Sequence, residues 1–206
     1  MNLFEDKLLD VNHKQDYRII GQLFDTYWLI EFEDSFYMMD QHAAHEKILY
    51  ERLMKQFHEK TYHSQMIMPP VILTLSLREE QILKENWKTF TALGYEIEEF
   101  GGKEYKVTGL PAELPTVIDC KQLLIELIDT IADESAPHDP ERITEKVASM
   151  SCKAAVKGNN RLSFKEAEEL MRELMEAENP YNCPHGRPTL IKMTKYEIER
   201  KFKRIL

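Results

Sequence analysis

The chain has 206 residues, of which 43% are apolar and 31% are charged, with 27 lysines and arginines against 36 aspartates and glutamates. This composition is typical of a folded domain and excludes a disordered chain. The formal charge of −9 excludes DNA binding by bulk electrostatics alone, because phosphate binding needs a basic surface. Any action on DNA therefore depends on a local basic patch, on metal ions or on a partner.

The sequence predicts neither a membrane segment nor a signal peptide. No apolar run approaches the roughly 18–20 residues that a membrane helix needs, and residues 1–16 carry scattered charges without an apolar core. We interpret residues 1–14 as the remnant of a linker. Three cysteines are too few, and odd in number, for a disulfide framework. The sequence therefore predicts no membrane association and a cytoplasmic location, where thiols stay reduced.

The first third of the chain is rich in predicted strands. Aromatic and β-branched residues at 17–20, 27–32 and 36–39 surround a short polar turn, which is typical of a hairpin. Asp40 can cap a following helix at about 41–57. The next predicted strand, residues 65–75, contains Pro69 and Pro70, which favours an edge strand or a bulge.

The remainder alternates helices with short strands. A predicted helix at 77–92 ends at Gly94, and two strands flank Gly101-Gly102, a two-residue turn. Helices follow at 119–133, 141–156 and 164–177, the last with a capping box. A strand at 189–193 leads into a terminal helix. This order predicts an α+β fold, with a discontinuous subdomain from both ends of the chain and an inserted subdomain from the middle.

The segment Asp40-Gln41-His42-Ala43-Ala44-His45-Glu46 has the chemistry of a divalent-metal site. His42 and Glu46 are one helical turn apart on the same face, and Asp40 stands at the helix start. Two carboxylates and an imidazole are suitable metal ligands. The alternative is that Asp40 is only an N-cap and that the other two lie on the surface. The order of residues is that of neither zinc-protease motif, HExxH nor HxxEH.

Two further segments contain soft metal ligands. In Cys183-Pro184-His185-Gly186-Arg187-Pro188, Cys183 and His185 can bind one cation, and Arg187 suits a phosphate. In the second segment, Cys152 precedes Lys153 and Lys157, which are one turn apart. The alternatives are an incidental loop cysteine and an ordinary buried cysteine.

The three segments together, in this order, resemble the C-terminal endonuclease and dimerisation domain of the bacterial mismatch-repair MutL proteins. The GQLFDTYWLIE segment ahead of the first motif and the FKRI ending fit the same family. The resemblance covers residues from about 17 to 206. It implies metal-dependent nicking of duplex DNA, in a homodimeric, nucleoid-associated bacterial protein. The alternative function is a non-catalytic, zinc-stabilised module for dimerisation and partner docking.

The resemblance also implies roles for individual residues. Asp40, His42 and Glu46 would be catalytic and lie at the metal site, which Cys152, Cys183 and His185 would complete. We expect zinc in a tight site of Glu46 and the cysteine and histidine ligands, and catalytic manganese or magnesium nearby. Arg187, Lys153 and Lys157 are candidates for holding the DNA backbone.

Subdomains and partners follow from the same resemblance. The dimerisation subdomain would comprise residues 15–66 and 151–206, and the regulatory subdomain residues 67–150. A motif for the processivity sliding clamp is expected after the first helix, where Gln65, Met66, Ile67, Met68 and Pro69 stand. The alternative is an ordinary strand with a proline bulge. The N-terminal ATPase domain of these proteins would be a further partner, and DNA is expected to bind only weakly to the isolated domain.

Overall fold

The structure is a computed structural model that describes residues 17–115, 118–132, 140–156 and 161–205. It divides into two compact units: a discontinuous unit, Met1–Ile48 with Gly158–Leu206, and an inserted unit, Leu49–Lys157. The predicted subdomain boundaries lie at 66/67 and 150/151, whereas the boundaries between these units along the chain lie at 48/49 and 157/158. Both helices and antiparallel sheets are present, which confirms the α+β fold class.

The discontinuous unit contains a four-stranded antiparallel sheet in the order β1-β2-β3-β7. Its strands are β1 (Arg18–Leu23), β2 (Tyr27–Phe32), β3 (Ser35–Asp40) and β7 (Leu190–Thr194). The alternation of apolar residues buries one face of this sheet, with Trp28, Ile30 and Tyr37 at most 2% exposed. This face packs with residues of α6 (Phe164–Glu176) such as Leu170 into one core. The terminal strand therefore returns to the N-terminal hairpin.

Helix α1 (Gln41–Glu59) begins directly after β3 and crosses from the discontinuous unit into the inserted one. The inserted unit has a three-stranded sheet in the order β4-β6-β5, which makes β4 an edge strand as predicted. The other elements are β4 (Ser64–Thr74), α2 (Leu77–Glu85), α3 (Trp87–Ala92), β5 (Glu96–Gly101), β6 (Glu104–Pro111), α4 (Cys120–Ala132), α5 (Pro140–Val156) and α7 (Lys195–Lys201). Of these, α7 belongs to the discontinuous unit.

The predicted helix at 77–92 is two helices in the structure. Asn86 separates α2 from α3, and its side-chain amide donates to the carbonyl of Ile82 at 2.9 Å. Asparagine readily bonds nearby backbone in this way and so interrupts a helix. The prediction of one continuous helix was therefore wrong at this residue. No helix in the described ranges has the length and apolar character needed to cross a membrane.

Candidate metal centre

The pairing of β3 with β7 brings two distant motifs together within the discontinuous unit. Met39 is opposite Leu190 in the sheet, and the amide of Asp40 donates to the carbonyl of Thr189 at 2.9 Å. Helix α1 starts at the next residue, and the Cys-Pro-His-Gly-Arg-Pro segment ends just before β7. The sheet therefore places the first turns of α1 beside this segment.

The Cys-Pro-His-Gly-Arg segment forms a closed loop. The amide of Cys183 donates to the carbonyl of Arg187 at 2.8 Å, and the amide of Gly186 donates back to the carbonyl of Cys183 at 2.9 Å. Gly186 has a φ of +78°, a conformation that glycine adopts without strain. The tight turn holds the Cys183 and His185 side chains on one short, fixed segment.

Three predicted ligands converge at this loop. Glu46, Cys183 and His185 each offer one ligand atom, and these atoms all lie within 4.8 Å of one another. Two ligands of one tetrahedral zinc ion lie about 3.3–3.8 Å apart, because each bond is about 2.0–2.3 Å long. Closing the observed separations by at most about 1 Å would let all three atoms bind one ion. Carboxylate, thiolate and imidazole together suit zinc.

The Glu46 carboxylate is buried and paired. Its side chain is only 5% exposed, and its Oε2 accepts from an Arg187 Nη at 2.6 Å and lies 3.4 Å from Nδ1 of His185. The bonds to Glu46 and Cys183 raise the pKa of the Arg187 guanidinium above its usual range. Sequence reasoning assigned Arg187 to a phosphate and did not anticipate this contact, because nothing in the sequence relates residues 46 and 187. A cation held by Glu46 would share its carboxylate with Arg187.

Asp40 is the N-cap of α1. Its Oδ1 accepts from the backbone amides of His42 and Ala43 at 2.9 and 3.0 Å. This satisfies helix-start donors that would otherwise lack partners. The capping role that we considered as an alternative is therefore present, and it fixes the carboxylate at the start of the helix that carries His42 and Glu46.

Two other residues of the same motif have roles that sequence reasoning missed. Gln41 is 3% exposed, and its Oε1 accepts from Trp28 Nε1 at 3.1 Å and from Gln22 Nε2 at 3.0 Å. Gln41 therefore anchors the helix start to β1 and β2. The pKa of His45 is lowered by burial and by neighbouring His42, against the opposite effect of Glu166. Neither position carries a sequence pattern that would have revealed these contacts.

The remaining predicted site residues belong to the inserted unit or lie outside the described residues. Cys152, fully buried, and the exposed Lys153 are on α5. The pKa of Tyr50 is raised to about 12, first by burial and then by Glu145 and Cys152. Lys157 lies outside the described residues. Of the predicted ligands, Glu46, Cys183 and His185 therefore lie together within the discontinuous unit.

The predicted clamp motif lies on β4 at a bulge. Met66 is opposite Gly109 and Val71 is opposite Val107, so residues 67–70 face the single residue Thr108 across the ladder. The Met68–Pro69 peptide is cis. Met66 and Met68 are 76% and 78% exposed, and they border a groove between β4 and the start of α4. The predicted edge strand with a proline bulge is confirmed, and it leaves two large apolar side chains in solvent.

Gln65 is held within the inserted unit. Its Nε2 donates to the carbonyls of Pro111, at 3.0 Å, and Leu114. These bonds tie β4 to the segment that follows β6. Gln65 therefore stabilises the inserted unit itself, in addition to its proposed place in the clamp motif.

The fold and the residues at the loop identify the protein as an α+β protein with a candidate metal centre. That centre consists of cysteine, histidine and glutamate side chains in the discontinuous unit. The sequence profile of the "MutL C terminal dimerisation domain" matches residues 20–162, which is more than half of the chain. The chain therefore belongs to the family of MutL C-terminal dimerisation domains, as the resemblance of its motifs indicated.

Individual relatives support this assignment. The chain is 52% identical to a DNA mismatch repair protein MutL of Agathobacter rectalis, over 98% of the chain and 31% of that protein. It is 39% identical to the proteins of the same name from Caldanaerobacter subterraneus, over 97% of the chain and 33% of the relative, and from Clostridium perfringens, over 91% and 28%. The chain thus spans about a third of the length of these relatives.

Proposed function

We propose that this chain is the nicking endonuclease and dimerisation part of a DNA mismatch repair MutL protein, hydrolysing a phosphodiester bond in duplex DNA. The observation that carries the proposal is the convergence of Glu46, Cys183 and His185 beside the helix start formed by Asp40. The proposed ligand set adds Cys152, with zinc as the tightly held ion. Manganese or magnesium would bind close by, where Asp40 and His42 supply oxygen and nitrogen ligands.

In this proposal, different residues bind the metal ion and the phosphate backbone. A bound divalent cation supplies an activated water and shields the charge that develops on the phosphate. Cys183 and His185 hold their positions through the closed loop, and Glu46 through its buried place on α1. Arg187 lies at the rim with its side chain half exposed, and can turn its remaining donors to a phosphate oxygen. Lys153 and Lys157 remain candidates for backbone contacts.

Asp40 offers the sharpest test of catalysis, because a substitution can remove the negative charge of its side chain and keep its helix-capping hydrogen bonds. Asparagine caps helices as well as aspartate does, so Asp40→Asn keeps the bonds to the His42 and Ala43 amides and removes the carboxylate. We expect this variant to melt like wild type, to keep its zinc, and to nick supercoiled plasmid in Mn²⁺ about 10–100-fold more slowly.

The matched control is Asp40→Ala, which removes the cap as well and should lose about 1 kcal/mol of stability in addition. Nicking by Asp40→Asn at the wild-type rate would refute the catalytic assignment. A wild-type protein that binds zinc but nicks no plasmid, alone or with clamp and ATPase domain, would favour the alternative, a zinc-stabilised module for dimerisation and docking.

Homodimerisation is supported by the family, and the structure offers a surface for it. The face of the β1-β2-β3-β7 sheet opposite its core carries Leu29, Met38 and Ile191 in one cross-strand row, and Phe36 and Met193 in the next. These residues are half-buried or exposed, and Ile191 is 51% exposed. We assign this outer sheet face to the interface with a second copy, because an apolar sheet face of this kind marks an association site.

Two further partners belong to the proposal. The exposed Met66 and Met68 beside the groove would dock the sliding clamp, with Ile67 and Pro69 shaping the bulge. Because the chain spans about a third of its relatives, we also propose that an N-terminal ATPase domain acts together with it. Clamp and ATPase domain would then deliver DNA to the metal centre.

A further inference from the structure

The C-terminal segment 192–206 has a charge opposite to that of the whole chain. It contains Lys192, Lys195, Arg200, Lys201, Lys203 and Arg204, with only Glu197 and Glu199 as acids, in a protein whose formal charge is −9. Such a concentration of one sign of charge creates a local potential that the net charge conceals. The segment includes the end of β7, helix α7 and the residues after it.

Three cations of this segment are available to a ligand. Lys195, Lys201 and Arg204 are exposed, and among the described residues none of the three lies within ion-pair distance of a carboxylate. Arg172, by contrast, pairs with both Glu169 and Glu176. The segment thus carries exposed positive charge that no carboxylate of the described residues pairs with.

The two acidic residues of the segment offset only part of this positive charge. The Glu197 carboxylate accepts from the backbone amide of Thr194 at 2.7 Å and from its hydroxyl at 2.8 Å, as part of a capping box. Those hydrogen bonds, and then the nearby Lys201 and Lys192, lower the pKa of Glu197. Glu199 is half-buried.

One strand, β7, links this segment to the candidate metal centre. At its first residue, Leu190, β7 pairs with Met39 beside the start of α1, and at its last residue, Thr194, it pairs with Ser35. Lys192 stands between them with its Nζ 5.4 Å from the centre of the Tyr37 ring. The strand covers about 13 Å at roughly 3.3 Å per residue, which equals about four base pairs of duplex at 3.4 Å each.

We propose that the surface formed by Lys195, Lys201 and Arg204, with Lys192 along β7, binds the phosphate backbone of duplex DNA and leads it toward the metal centre. The inference rests on the proposed nuclease function for its direction, but the binding itself needs no metal. It explains how a protein with an excess of acids can hold DNA at one place. The contacts would be independent of base sequence, because lysine and arginine here meet phosphates rather than base edges.

The test compares two variants that change the net charge equally. The patch variant is Lys195→Gln/Lys201→Gln/Arg204→Gln, and the control is Lys88→Gln/Lys103→Gln/Arg142→Gln, three exposed cations of the inserted unit. Binding to a fluorescent 30-base-pair duplex is measured by anisotropy in EDTA from 25 to 200 mM KCl. EDTA removes any contribution of nicking, so a failed nuclease proposal leaves this test intact.

We expect wild type and control to bind weakly, with the same linear dependence of log K on log salt concentration. In the patch variant the magnitude of this slope should fall by about three, one unit for each lost phosphate contact. Equal slopes for patch variant and control would overturn the proposal. So would a patch variant that binds DNA like wild type but loses binding to phosphatidylserine vesicles, because the partner would then be a lipid surface.

Discussion

Glu46 is a buried negative charge, and its neighbours show how the protein tolerates it. An isolated carboxylate out of water costs several kcal/mol unless a partner compensates for it, and Arg187 and His185 lie within 2.6 and 3.4 Å of its Oε2. Cys183 on the same loop is 4% exposed. Anionic and soft ligands held out of water are the environment in which a metal ion binds tightly.

The three cysteines permit an internally controlled test of the ligand set. We expect Cys183→Ser to reduce zinc from about one ion per chain to near zero, because serine is a poor zinc ligand, and Cys152→Ser to do the same if Cys152 completes the site. The control is Cys120→Ser: Cys120 is 5% exposed and burial raises the pKa of its thiol to about 12, which disfavours the thiolate that binds metal.

Elemental analysis of the dialysed proteins gives the result directly, with circular dichroism to verify folding. Zinc retained in folded Cys183→Ser would show that the Glu46-Cys183-His185 group is not the site. Zinc retained only in Cys152→Ser and Cys120→Ser would limit the ligands to the discontinuous unit.

At the residue scale, the sequence identifies candidate ligands by residue type, but it does not reveal which residues contact one another. The ligand types and their helical spacing at His42 and Glu46 follow from local geometry. The approach of Arg187 to Glu46 depends on the β3–β7 pairing. No local pattern encodes such pairing between residues about 150 positions apart.

At the scale of elements, the bulge on β4 makes a specific docking prediction. We expect Met66→Ala/Met68→Ala to weaken capture of a purified bacterial sliding clamp by at least about tenfold, which corresponds to about 1.4 kcal/mol. Both side chains are more than three-quarters exposed, so their loss should leave the free energy of unfolding nearly unchanged. Surface plasmon resonance on immobilised clamp gives the affinity, and urea titration gives the stability.

Leu77→Ala is the matched control, because Leu77 is 71% exposed on α2 of the same unit. Gln65→Ala is unsuitable as the sole test, since it also removes the bonds to the carbonyls of Pro111 and Leu114. Unaltered clamp affinity in the double methionine variant would exclude this surface.

The elements themselves were largely predictable, for reasons that differ from one to the next. Helix caps and tight turns are local sequence signals, and each predicted one marks a boundary that the structure contains. These are Asp40 before α1, Ser163 with Glu166 before α6, and the Gly101-Gly102 turn. The break at Asn86 was missed because asparagine is tolerated within helices as well as between them. The boundary between the compact units falls at 48/49, within α1, because α1 is one continuous helix whose two parts pack into different cores.

At the scale of the whole molecule, membership of a family of dimerisation domains predicts a homodimer. The outer sheet face is the proposed interface, and substitutions on it test this prediction. In a two-fold symmetric dimer each substitution occurs twice across the same interface. Met38→Glu/Ile191→Glu places four carboxylates in it, on cross-strand neighbours of β3 and β7, of which Ile191 is 51% exposed. Burying such charges without partners costs several kcal/mol per ion, so we expect a monomer at micromolar concentration where wild type is a dimer.

Light scattering after size exclusion measures the mass directly, over a hundredfold range of protein concentration. Leu77→Glu/Phe100→Glu serves as the control, because both residues are exposed apolar side chains of the inserted unit and add the same charge. A dimeric sheet-face variant would place the interface elsewhere. The wild-type melting temperature should rise with concentration, because dissociation is linked to unfolding, and the melting temperature of the monomeric variant should not. A folded monomer that keeps its zinc would further show that the metal centre is complete within one chain.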